Sequence, residues 1–118
     1  MTLVPLPAFA DNCPKLSQKT MCITAISNWG GSWSMDAVFG KYNPDTQDGS
    51  ATVNGNPASY RCVGNNFALV TIDDTTGDRL VWTALVGAKA KSADGTGTSS
   101  PTEAYFHYKA VAGACPAN

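Results

Sequence analysis

The stretch SPTEAYFHYKAVAGAC, residues 100–115, holds the only glutamate of the chain, Glu103, and its only histidine, His107. Two foldings compete for it. As a helix, Ser100 is the N-cap, Pro101 takes the first helical position, Glu103 sits at the third and Gly113 stands just past the end. The interior argues the other way. Tyr105-Phe106-His107-Tyr108 is a run of weak helix formers that are good strand formers. The period agrees: in a strand Ala104, Phe106, Tyr108 and Ala110 share one face, and Glu103, Tyr105, His107 and Lys109 share the other. Strand is the preferred reading, and a C-terminal helix at 101–112 the alternative. The choice reaches the chemistry. On a helix, Glu103 and His107 are i,i+4 neighbours. On a strand their α-carbons stand roughly 13 Å apart.

Composition points the same way. The 118 residues are 43% hydrophobic and only 14% charged, against about 25% charged in an average domain. Helical surfaces are normally filled with Glu, Lys, Arg and Gln, and this chain has one Glu and two Gln. The length suits one domain with a real core that benefits from staples. The formal net charge is −1, with Lys and Arg scattered singly. No basic stripe is present to neutralise phosphates, which disfavours nucleic acid as a partner. No apolar run approaches the roughly 18 residues of a membrane-spanning helix.

Short alternating runs separated by turn formers fill the rest. CITAISN (22–28) is rich in β-branched residues, and SWSMDAVF (32–39) puts Trp33, Met35, Ala37 and Phe39 on one face. ATV (51–53) and SYRCV (59–63) flank NGNP, a hairpin turn. NFALVTI (66–72) and RLVWTALVGA (79–88) flank DDTTGD and read as a second hairpin. KSADGTGTSSP (91–101) is poor in strand formers and reads as a polar loop, across which the 102–112 strand would pair with 79–90. The expectation is an all-β sandwich or small barrel of about seven short strands, stapled by disulfides. The alternative is α+β with the C-terminal helix.

Cys13, Cys22, Cys62 and Cys115 are an even set in a short chain. Their spacing fits no zinc motif, so disulfides are expected and no metal or cofactor is. Cys13 with Cys115 would tie the two ends together, leaving Cys22 with Cys62. Oxidised cysteines imply a secreted protein, extracellular or periplasmic. Residues 1–12 read as an N-terminal arm or the remnant of a signal segment, with Ala8-Phe9-Ala10 fitting the small-x-small cleavage rule. Residues 13–118 then form the single β domain.

Two functions from different classes fit these residues. The first is a non-enzymatic binding module, such as a small exported inhibitor, adhesin or host-targeting effector. It would engage a protein or a carbohydrate through its loops and through Trp29, Tyr42, Tyr60 and Tyr105. The alternative is a small ribonuclease-like hydrolase, with Glu103 and His107 as base and acid and Arg61 (or Arg79) as the phosphate cation. No nucleophile elbow, phosphate loop or calcium loop accompanies them.

Overall fold

A computed structural model describes residues 12–28, 30–72, 77–100 and 105–116. Eight strands run in chain order: β1 (Thr20–Ser27), β2 (Ser32–Phe39), β3 (Asp48–Val53), β4 (Asn56–Val63), β5 (Asn66–Ile72), β6 (Arg79–Val86), β7 (Ser92–Ser100) and β8 (Tyr105–Ala112). Each pairs antiparallel with the next, and β8 returns to β1, so the sheet closes into an all-β barrel. Closure removes the exposed edges that an open sheet would carry.

Alternation builds the interior. Along β4 the inward residues Tyr60 and Cys62 are buried, while Ser59, Arg61 and Val63 face outward. β2 supplies Trp33, Met35, Ala37 and Phe39 to the inside, as its period-2 pattern predicts. Asn54 and Gly55 turn β3 into β4 with φ of 50° and 83°, the paired left-handed conformation that a two-residue hairpin requires. The opening stretch is strand β8, with Phe106, Tyr108 and Ala110 inward.

A 3₁₀ turn at Cys13–Leu16 plugs the lower end, where β1 begins, and Leu16 is 1% exposed. Beside it, the Lys19 ammonium donates to the carbonyls of Lys89 and Ala90 at 2.8 and 3.0 Å. The void left among Leu16, Met21, Phe39, Phe67 and Tyr108 is about 10 Å³. That is barely the volume of one water, so this end is packed solid.

Three expectations are corrected. The first is the disulfide pairing. The bonds are Cys13–Cys62 and Cys22–Cys115, not Cys13–Cys115 and Cys22–Cys62. Barrel closure explains the change: β1 lies beside β8, which brings Cys22 to the C-terminal tail, while the plug carries Cys13 to the bottom of β4. The second is the polar loop. Residues 92–100 are strand β7, which separates β6 from β8 and pairs with both, so the 105–112 strand does not pair with 79–86 as expected. Gly97 sits opposite Trp82 on one side and Phe106 on the other, and a side chain there would overlap the Phe106 ring. The glycine is what lets those two rings meet, at 4.3 Å between centroids. Aromatic cover of this kind holds in a sheet a strand that its own propensity would not.

The third correction concerns two tyrosines read as ligand-binding. Tyr42 and Tyr60 are interior, at 6% and 2% exposure. The Tyr60 ring lies over Gly49 and meets Phe39 edge-on at 5.0 Å. Its hydroxyl donates to the Gly40 carbonyl. The Tyr42 hydroxyl donates to the Cys62 carbonyl at 2.7 Å. Burial, then the neighbouring Tyr42 and Asp48, pushes the Tyr60 phenol up to about 12. These rings hold the lower barrel together.

Candidate functional site

The upper barrel is less complete than the lower. β3 pairs with β2 only from Ala37 to Phe39, then turns back at Asn54-Gly55. Asn54 prolongs the ladder by one step. Its N–H donates to the Asp36 carbonyl at 2.9 Å, and its side-chain oxygen accepts from the Asp36 N–H at 3.0 Å. Above Asp36, β2 continues through Met35, Ser34 and Trp33 with no strand paired to that side among the described residues. Across the gap, β5 parts from β4 after the Ser59–Val70 pair. Continuing this register would set Ala58 opposite Thr71 and Pro57 opposite Ile72, and Pro57 has no N–H to offer.

The result is a lateral notch of about 350 Å³, lined by Trp33, Ser34 and Met35 of β2, Asn54, Asn56 and Pro57 of the turn, and Thr71, Ile72, Leu80 and Trp82. Its floor is aromatic. The Trp33 ring meets Trp82 at 6.4 Å and Phe106 at 5.6 Å, both edge-to-face. Trp82 is fully buried and its Nε1–H donates to Thr71 Oγ1, which satisfies the one polar atom of the ring. Trp33 is only partly buried and Ile72 is half exposed. Among the described residues that line the notch there is no carboxylate, histidine, lysine or arginine.

The residues singled out by sequence are dispersed. His107 faces outward from β8, between Thr96 of β7 and Ile26 of β1. Arg61 faces outward from β4, in the same transverse row, which runs through Ala68, Thr83 and Thr96. Four strand spacings, about 19 Å along the wall, separate the two. Arg79 is two strands from His107 and higher on the wall. Tyr105, 54% exposed, also faces outward. Trp29 and Glu103 lie outside the described residues. The structure therefore brings together none of the described ribonuclease-type groups, and His107 stands on an open sheet face. Among the described residues no cluster of His, Cys, Asp or Glu is arranged to hold a metal.

What sequence reasoning missed is the notch. Its one local signal was Trp33 on the inward face of β2. The gap itself arises because β3 turns back at Asn54-Gly55 beside Asp36, while β2 runs on to Ser32.

No protein-family description matches the chain, and no curated protein matches it in sequence. Among solved structures, it is similar to a redesigned β-barrel, with a TM-score of 0.69 at 11% identity, over 87% of this chain and 96% of that one. At that identity the likeness speaks for the fold alone: the chain is an eight-stranded antiparallel β-barrel.

Proposed function

We propose that this chain is an exported, non-enzymatic binding module whose contact site is the lateral notch. One observation carries the reading: the gap in the barrel wall has an aromatic floor, Trp33 over Trp82, and a neutral rim that includes Asn54, Asn56 and Thr71. Apolar floors with a few polar groups at the rim are the usual make-up of binding clefts. Two disulfides suit an oxidising compartment. The outward positions include Asp36, Arg61, Asp94 and Lys109, whereas a membrane barrel turns an apolar band to lipid. The partner is a protein or a carbohydrate.

The test is binding by the native, oxidised chain to glycan and peptide arrays, compared with Trp33→Ala and Ile72→Ser. Ile72 is half exposed, so its variant probes the surface without opening the core. Loss of binding in both variants is the expected result, with the melting temperature unchanged in Ile72→Ser and lowered in Trp33→Ala, whose ring packs on Trp82 and Phe106. Binding that survives both, or that depends instead on His107→Ala, refutes the notch.

A further inference from the structure

The floor of the notch is apolar, but its side wall is bare backbone, and that narrows the class of partner. Backbone groups of a strand point alternately to its two neighbours. The N–H and C=O of Asp36 point to the β3 side, where Asn54 meets both. The N–H and C=O of Ser34 and Ser32 therefore point the same way, where β3 has already turned back. Among the described residues nothing on that side pairs with them. On the β1 side the ladder continues undisturbed, with Ile23 opposite Met35 and Ala25 opposite Trp33. The Ser34 side chain is engaged outside the barrel, with the Thr24 hydroxyl at 3.2 Å. Beside this edge lies the open volume of the notch, which Ser34 itself lines.

We infer that the upper half of β2 is a strand-addition site for an extended peptide segment of a partner protein. This rests on the reading of the notch as a binding site. The occupant is argued from three features. The edge offers donors and acceptors two residues apart, the repeat that an extended backbone presents. It continues a ladder that β3 begins and Asn54 prolongs, so the incoming strand takes a place that none of the described strands fills. Among the described residues lining the gap there is no Lys, Arg, Asp or Glu, which suits a neutral backbone.

The register makes the specificity explicit for an antiparallel segment. The residues opposite Ser34 and Ser32 exchange hydrogen bonds with β2 and turn their side chains to solvent. The residue between them, opposite Trp33, turns its side chain inward, toward Trp33, Leu80 and Trp82. That position takes an apolar or aromatic side chain, while the two flanking positions are read through their backbone.

The experiment screens the oxidised full chain against a library of short linear peptides. Each hit is then remade with single backbone N-methyl groups, which delete one N–H and leave the side chains unchanged. Methylation at the two alternate positions facing β2 is expected to weaken binding about tenfold or more, and methylation at the inward residue between them to have little effect. On the protein, Ser34→Pro removes the outward N–H while sparing the β1 ladder, as an edge tolerates. Ser34→Ala keeps that N–H and serves as the control. Loss of peptide binding in Ser34→Pro but not in Ser34→Ala supports strand addition. Equal binding by both variants, or indifference to the methylation pattern, overturns it. A library with no hits overturns it too, even if a glycan still binds in a Trp33-dependent way, in which case the notch reading survives. Hits indifferent to both Trp33→Ala and Ile72→Ser would refute the notch itself.

Discussion

Gly97→Ala is the sharpest test of how this barrel is held together, because two physical effects predict opposite signs. Replacing glycine by alanine narrows the unfolded ensemble, which alone stabilises by about 0.4–1 kcal/mol. In the folded barrel the new methyl group overlaps the Phe106 ring. That ring cannot simply retreat, since Trp82 lies 4.3 Å away and Trp33 5.6 Å away, centroid to centroid. Overpacking of this kind costs roughly 1–3 kcal/mol. Displacing Phe106 also weakens two aromatic contacts worth about 0.5–1.5 kcal/mol each. Allowing for the entropic gain, the net loss is about 1–6 kcal/mol, or roughly 4–24 °C in melting temperature at about 4 °C per kcal/mol. The assay is thermal and urea unfolding followed by circular dichroism. Gly31→Ala serves as the control, since a methyl group there meets only Ser27 Oγ at 3.4 Å and should show the entropic gain alone, about 0.4–1 kcal/mol. In a Phe106→Leu background the cost of Gly97→Ala should fall by at least about 1 kcal/mol, the coupling expected of residues in contact. A Gly97→Ala protein as stable as the parent refutes the claim that this glycine is kept for the ring above it.

Other perturbations probe other joints. Removing the Cys13–Cys62 bond by paired alanine substitution opens a loop with a sequence separation of 49, for which chain entropy gives a loss of about 4 kcal/mol. An unchanged urea midpoint contradicts this, and peptide mapping without reductant that recovers Cys13 joined to Cys115 contradicts the pairing. Tyr42→Phe deletes the hydroxyl that the Cys62 carbonyl accepts from and should cost about 1 kcal/mol, read as a lower urea midpoint. High pH should open the barrel. Burial raises the Tyr60 phenol to about 12 and raises Tyr108 as well, so the unfolded chain loses those protons first. Their contribution is whole below pH 10 and lost as pH rises through 10 to 12. A urea midpoint that holds constant from pH 9 to 12 would contradict it.

The elements that could be read from sequence are those whose own residues carry the pattern. Trp33, Met35, Ala37 and Phe39 alternate inward as written, and Asn54-Gly55 forms the expected hairpin turn. Residues 105–112 are a strand because Tyr105-Phe106-His107-Tyr108 favour one. Strand β7 escaped because SADGTGTSS has almost no strand preference of its own. It is a strand because β6 and β8 hold it on both sides and their rings cover Gly97. The disulfide pairing escaped for a related reason, since nothing local says that β1 and β8 are neighbours. Tyr42 and Tyr60 look like surface aromatics among turn residues, but loop 40–47 folds Tyr42 inward to stack on Tyr60 at 6.3 Å. The notch depends on the relative heights of separate hairpins, which no single segment encodes.

The seam between the first and last strands has a consequence for biogenesis. Cys22 finds its partner 93 residues further along the chain, whereas Cys13 is already near it in the nascent polypeptide. Short loops close more easily than long ones, so an oxidant acting early joins the wrong sulfurs. A Cys13–Cys22 bond formed early has to be exchanged by thiol attack before Cys22 can reach Cys115, so refolding of the reduced chain should be faster in a redox buffer that permits exchange than under strong oxidant.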